Sequence, residues 1–340
     1  MDTERIQALE AFITEQSGKR ASISGARQLG GGAIQENHAL DIELDGETIA
    51  AVLRCDAPSS VPDSRSRAQE FALLRAAFDA GVTVPEPLWL GDESVFGRAF
   101  FIMRRAEGTA AGHRIVREPE LAPDREALVR QVGREMARIH SIRPPREDLD
   151  FLPVPEEHPA ALFIRESREF LDGYHSAFPA LEWGLNWLER EMPEREPLCL
   201  VHRDFRTGNY MVDEQGLTAV LDWEFTDWSQ PLEDLGWFCA RCWRFGQLAE
   251  DQAAGGVGSR QALFDGYEEI SGRRPTEEEV YYWEAFAHAR WAMIAIKQAE
   301  RHLSGREPSL ELALTAHIVP ELELHLLRMT GLEDMLAANN

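Results

Sequence analysis

The sequence predicts an α+β chain of two unequal lobes, a small strand-rich one over residues 1–105 and a large, mainly helical one over residues 106–340. Three observations predict it. Hairpin-like alternation of apolar and polar residues falls almost wholly before residue 105. Helical spacing of apolar residues dominates beyond residue 125 and is interrupted by one short hairpin between 198 and 224. With 340 residues, 44% hydrophobic and 28% charged, the chain has an ordinary globular composition and can bury a sizeable core.

The elements follow in order. Residues 3–15 carry Ile6, Leu9 and Ile13 on one helical face. Gly25, Gly30, Gly31 and Gly32 then rule out a continuing helix. Residues 37–44 alternate as a strand, Asp45-Gly46 is a hairpin turn signal, and Thr48 to Arg54 is the returning strand. Asp63 or Ser64 can cap the lobe's central helix, which shows Phe71, Leu74 and Phe78 on one face and stops at Gly81. Pro85 and Pro87 make an extended connector, and Ala99 to Met103 is an apolar strand. Beyond it, helical spacing covers 125–140, 160–175, 178–191, 231–245, 259–271, 276–302 and 309–330. The hairpin runs NYMV, then LTAVLDW, and turns at Asp213 to Gly216.

Composition excludes several functions. The net charge is −24, and −18 of it falls in residues 108–340, so phosphate backbones and anionic lipid surfaces are repelled; no nucleic-acid or membrane partner is expected. No signal peptide opens the chain and no apolar run of membrane-spanning length occurs, so a cytoplasmic protein is expected. Four cysteines are too few for a disulfide scaffold. Cys239 and Cys242 form a C-x-x-C, but a structural zinc site needs a second pair, and the apolar run CARCWRF predicts buried thiols on a helix.

The segment that carries chemistry is LVHRDFRTGNYMVDEQGLTAVLDWEF, residues 200–225. A short apolar strand runs into His202-Arg203-Asp204; Asn209 follows, then a hairpin that ends at Asp222. Phosphoryl transfer asks little covalent chemistry of a protein. It asks for a carboxylate to orient a hydroxyl and accept its proton, and for oxygen ligands that hold Mg²⁺ on the phosphates. Asp204 can supply the first, and Asn209 with Asp222 the second. Asp222 is followed by Trp-Glu, and Pro231 comes nine residues later, so there is no room for a long regulatory loop and a small-molecule acceptor is favoured.

Together with GGGAIQENHALDI, AVLR, VPEP, FIMRRAEG, PLEDLGW and CWRFG, this segment resembles the aminoglycoside phosphotransferase and choline kinase-like family. The resemblance covers nearly the whole chain. Its nearest branch is similar to the kinase-like part of certain acyl-CoA dehydrogenase fusion proteins. It implies a bilobal protein-kinase-like fold, with a small antiparallel-sheet lobe containing one helix and a large helical lobe. It also implies an ATP- and Mg²⁺-dependent phosphotransferase acting on a small-molecule hydroxyl, in a hydroxylated acyl compound or an aminoglycoside-like one.

Residue by residue, Asp204 matches the catalytic aspartate, and Asn209 and Asp222 match the magnesium ligands. Arg206 takes the place of a lysine that steadies the γ-phosphate, or else is a loop arginine on solvent or Glu224. His202 is expected to buttress the loop and Asp234 to serve structure at a helix start. The family pairs a basic residue on the returning strand with a glutamate on the next helix. Only two lysines exist, Lys19 and Lys297, and neither is placed for it, so Arg54 with Glu70 is the candidate pair. Gly31 and Gly32 resemble the phosphate-covering turn, and Met103 to Arg105 match the inter-lobe hinge where backbone groups meet adenine. The remaining alternative is a nucleotide-binding scaffold without catalysis.

Overall fold

The computed structural model describes residues 1–29, 35–56 and 65–332. Its small lobe is built on a five-stranded antiparallel sheet in the order β1-β2-β3-β5-β4. The strands are β1 (Ala21–Leu29), β2 (Gln35–Leu44), β3 (Glu47–Asp56), β4 (Pro87–Gly91) and β5 (Phe100–Arg104). Asp45 and Gly46 both have positive φ, the geometry that joins two strands in a two-residue turn without splaying them. Alternation along β3 then splits its side chains. Leu53 and Cys55 pack with Leu9 and Ile13 of α1 (Thr3–Ser17), while Val52 and Arg54 face the opposite side, toward the large lobe.

Helix α2 (Arg67–Asp79) packs between the sheet and the large lobe, and its Leu73, Leu74, Ala76 and Ala77 join the large-lobe core. Ser66 caps it through a reciprocal box with Gln69. The cap expected at Asp63 or Ser64 falls outside the described residues, and Ser66 holds the helix end. The small lobe also carries α1, expected over residues 3–15, and the one-turn α3 (Glu93–Phe96).

The large lobe contains α4 (Gly112–Arg117), α5 (Arg125–Ile139), α6 (Pro159–Asp172) and α7 (Pro179–Arg190). Two short antiparallel pairs follow: β6 (Cys199–Val201) with β9 (Asp227–Ser229), and β7 (Tyr210–Asp213) with β8 (Gly216–Val220). Then come α8 (Leu232–Cys239), α9 (Arg260–Ser271), α10 (Glu277–Leu303), α11 (Leu310–Thr315) and α12 (Val319–Met329). Helix α10, rich in buried alanine, lets α8 and α12 approach closely. Two expected helices are shorter. The 231–245 helix ends at Cys239, so Cys239 is buried at its last residue and Cys242 is partly buried in the following 3₁₀ turn; burial raises both thiol pKa values. The 309–330 helix is broken by a 3₁₀ turn just before Pro320.

Candidate active site

The site is assembled from four short pieces of chain. β3 presents Arg54 and α2 presents Glu70, and the two meet as a buried ion pair at 2.7 Å from Nε to Oε1. The Arg54 fork also reaches Asp222, with Nη2 donating to Oδ1 at 3.2 Å. Burial disfavours the Arg54 charge, but Glu70 and Asp222 outweigh it and hold its pKa above the ordinary guanidinium value. The arginine thus ties small lobe to large, as the sequence predicts for Glu70 and without predicting it for Asp222.

The loop that carries Asp204 leaves β6 at Val201 and is pinned from beneath by α8. Asp234, fully buried, accepts from the backbone N–H of His202 at 2.7 Å and of Arg203 at 2.8 Å, and from His140 Nε2 at 3.1 Å. Burial disfavours its charge, yet these donors hold its pKa below the usual carboxylate range. Its role is therefore structural, as expected, though it acts by holding the loop backbone and not only through the helix dipole. His202 is fully buried and bonded to Leu221 O at 2.8 Å, with the Asp204 N–H donating to its Nδ1 at 3.3 Å. It is a buttress with no free edge for proton transfer. Arg203 and Asp222 both adopt left-handed backbone, with φ of 63° and 67°. Such conformations persist where surroundings overdetermine them. Arg203 is held by Asp234 at its N–H, by Arg290 donating to its carbonyl at 2.6 Å, and by Glu233 at its side chain, 3.1 Å.

Asp204 sits where these constraints converge. Its Oδ1 accepts from Trp237 Nε1 at 3.2 Å and lies 3.3 Å from Arg206 Nε, while its Oδ2 accepts from the Asn209 amide. Burial raises its pKa against the pull of Arg206 and His202. The Asn209 side chain gives both its donors to Asp204, one to the carboxylate and one to the backbone carbonyl at 2.9 Å. Its oxygen is left for another group. The hairpin of β7 and β8 closes this arrangement, with the Leu221 N–H donating to Asn209 O at 2.8 Å. Arg206 also lies over the Trp243 ring, 4.9 Å from its centroid.

A cleft of about 580 Å³ opens between the lobes. Arg54, Glu70, Asn209, Asp222 and Glu224 line its polar end, and Val52, Phe101, Met103, Met211 and Val220 its apolar part. Glu224 and Asn37 are cleft residues that sequence reasoning missed. Burial, with Asp222 beside it, pushes the Glu224 pKa up to about 7. Asn37 stands opposite Arg54 in the β2–β3 register, which the strand pattern could have revealed. Met103 and Arg105 line the cleft. The Arg105 N–H, however, is committed to Ala50 O at 2.9 Å, and its guanidinium lies 3.4 Å from Asp41. Gly31 and Gly32 lie outside the described residues. Among the described residues no helix is long and apolar enough to cross a membrane.

Comparison with known proteins agrees with this geometry. Residues 25–272 match the model of the phosphotransferase enzyme family. Acyl-CoA dehydrogenase family member 11 of Rattus norvegicus is 26% identical over 337 residues, which is 93% of this chain and 42% of that protein; the chain thus spans less than half of that relative. A Ralstonia eutropha protein provisionally called an aminoglycoside phosphotransferase superposes with a TM-score of 0.75 at 23% identity, over 95% of this chain and 97% of that one. The aminoglycoside phosphotransferase APH(4)-Ia, in a ternary complex with AMP-PNP and hygromycin B, gives 0.60 at 18% identity, over 95% and 98%. The two-lobed architecture is therefore that of the kinase-like phosphotransferases, and the chain belongs to the phosphotransferase enzyme family.

Proposed function

We propose that this protein transfers the γ-phosphoryl group of ATP, with Mg²⁺, to a hydroxyl of a small molecule. The observation that carries the reading is the convergence of Arg54, Glu70, Asn209 and Asp222 on one cleft, with Asp204 bonded to Asn209 beside it, although they come from four separate stretches of chain. The donor set suits magnesium, a hard cation that takes one or two carboxylates plus other oxygens. The Asn209 amide turns its oxygen away from Asp204, and the Asp222 carboxylate is partly exposed on the cleft. Bound there, Mg²⁺ supplies charge neutralisation on the transferring phosphates. Arg54 offers its guanidinium to α- and β-phosphate oxygens, and Glu70 keeps it aimed. Asp204 orients the acceptor hydroxyl and takes its proton. Arg206, 3.3 Å from Asp204, is the residue assigned to steady the γ-phosphate.

The acceptor is a small molecule. The similarity to an acyl-CoA dehydrogenase family protein favours a hydroxylated acyl compound, and the fold shared with a hygromycin-binding enzyme keeps an aminoglycoside-like acceptor in view. A silent nucleotide-binding scaffold explains the set less well, because it has no use for a carboxylate held by two hydrogen bonds and an arginine beside two cation ligands.

Calorimetric titration of ATP tests the reading. Binding is expected to require Mg²⁺ and to weaken by at least ~10-fold in Asp222→Asn. ATP binding of equal strength with and without Mg²⁺, or untouched by that substitution, overturns it.

A further inference from the structure

Trp237 packs against the loop that carries Asp204. It lies on α8, 98% buried, and belongs to a chain of three tryptophans, with Trp243 at 5.2 Å between ring centroids and Trp291 a further 5.1 Å on. The indole N–H groups of Trp243 and Trp291 are buried and meet no hydrogen-bond partner. The indole of Trp237 differs, because its N–H is spent on Asp204 Oδ1 at 3.2 Å. The ring itself is fixed. The Arg290 guanidinium lies 4.5 Å from its centroid, and Arg290 in turn donates to the Arg203 carbonyl at 2.6 Å. A cation over an indole face is the strongest form of that contact, and more so when desolvated, as here.

The lone pairs of Asp204 can then be followed one by one. A carboxylate oxygen has two in its plane. Oδ1 faces the Trp237 N–H and the Arg206 guanidinium, while Oδ2 faces the Asn209 amide alone. We infer that Trp237 is a positioning residue for the catalytic carboxylate: its hydrogen bond, beside the Arg206 charge, holds Oδ1 and so leaves Oδ2 as the atom that takes the acceptor's proton. The inference rests on the phosphotransferase reading above. In the step it implies, the acceptor O–H proton passes to Asp204 Oδ2. The acceptor oxygen bonds to the γ-phosphorus, and the bond from that phosphorus to the bridging oxygen breaks with its electron pair leaving on ADP. The indole takes no part in bond making. It fixes the rotation of the carboxylate, and a misdirected base costs rate without costing nucleotide affinity.

The test compares Trp237→Phe with Trp291→Phe, two equal truncations in one aromatic cluster, of which only the first removes a bond to Asp204. The probe is Mg·ATP hydrolysis with water as the hydroxyl donor, alongside proton–nitrogen spectra of indole-labelled protein. Trp237→Phe is expected to lower kcat by about 10-fold with KM for ATP within about 2-fold, as loss of one hydrogen bond made to the reacting group predicts. Trp291→Phe is expected to keep both. The indole signal that disappears in Trp237→Phe is expected to lie downfield in the parent protein and to move upfield in Asp204→Asn, since its acceptor loses charge. Equal rate loss in both phenylalanine variants, no loss in Trp237→Phe, or an indole signal indifferent to Asp204→Asn overturns the inference. A parent protein that splits no ATP defeats the phosphotransferase reading instead, and the indole signal still decides the role of Trp237.

Discussion

Arg54 ties the two lobes together through a single side chain. Its Nε faces Glu70 on α2 and its Nη2 faces Asp222 beyond β8, so a single fork spans both lobes. An ammonium is a point charge and cannot hold that geometry on two carboxylates at once. Arg54→Lys is therefore expected to keep the fold and weaken Mg·ATP binding by about 5- to 10-fold, since a charge-assisted contact is lost and Asp222 is freed to move. Calorimetry checks it, and unchanged affinity would show the Asp222 contact to be idle. The chemistry at this scale was largely legible. Asp204, Asn209 and Asp222 sit close together in sequence, and the family resemblance, with no lysine on the returning strand, implied Arg54. Trp237 and the true work of Asp234 were not legible. Each acts on the loop from about 30 residues away, and no local pattern encodes a hydrogen bond across that gap.

At the scale of elements, spacing located most helices to within a few residues, because α5, α6 and α7 each show a clear apolar stripe. Strands fared less well. β4 begins at Pro87, where the two prolines read as an extended connector, while β9 is three residues long and exists only by pairing with β6. Glycines inside helices were also silent in the sequence, yet two of them let α5 and α9 meet backbone to backbone. A Cβ on Gly133 of α5 would stand 2.2 Å from Leu263 O of α9, and one on Gly266 of α9 would stand 1.9 Å from Arg130 O of α5. The helices touch backbone to backbone, and neither oxygen belongs to a side chain that could swing away. Gly266→Ala is thus expected to cost about 3 kcal/mol or more, although alanine has the better helix propensity. Urea unfolding measures it, and a change below about 0.5 kcal/mol would mean that α5 and α9 part freely.

Across the whole molecule, the −24 net charge hides how the basic residues are used. Arginines 54, 67, 203 and 290 are mostly buried and bind carboxylates or carbonyls on other elements, as do Arg244 and Arg260 with Glu284 of α10. The preponderance of arginine over lysine was visible in the composition, but its reason was not, because partners come from distant segments. These buried groups make stability depend on pH. His288, one turn beyond Glu284, is almost fully buried; its Nδ1 bonds to the Glu284 carbonyl at 2.7 Å and its Nε2 meets no partner. Burial, with His325 and the arginines 244 and 241 nearby, depresses its pKa to about 4. A histidine held neutral in the fold contributes stability that is full above its unfolded pKa near 6.5 and is lost as pH falls toward 4, because the unfolded chain takes the proton first. Glu284 works in the opposite direction, since burial lifts its pKa to about 7 and the fold binds its proton more tightly than the unfolded chain does. The parent protein alone therefore shows a partly cancelled dependence, and the histidine is isolated by comparison with His288→Leu, which is close in volume. Between pH 7.5 and pH 5 the parent is expected to lose about 2 kcal/mol more unfolding free energy than the variant. Parallel pH profiles for the two proteins in urea would show that His288 takes up its proton without leaving the core.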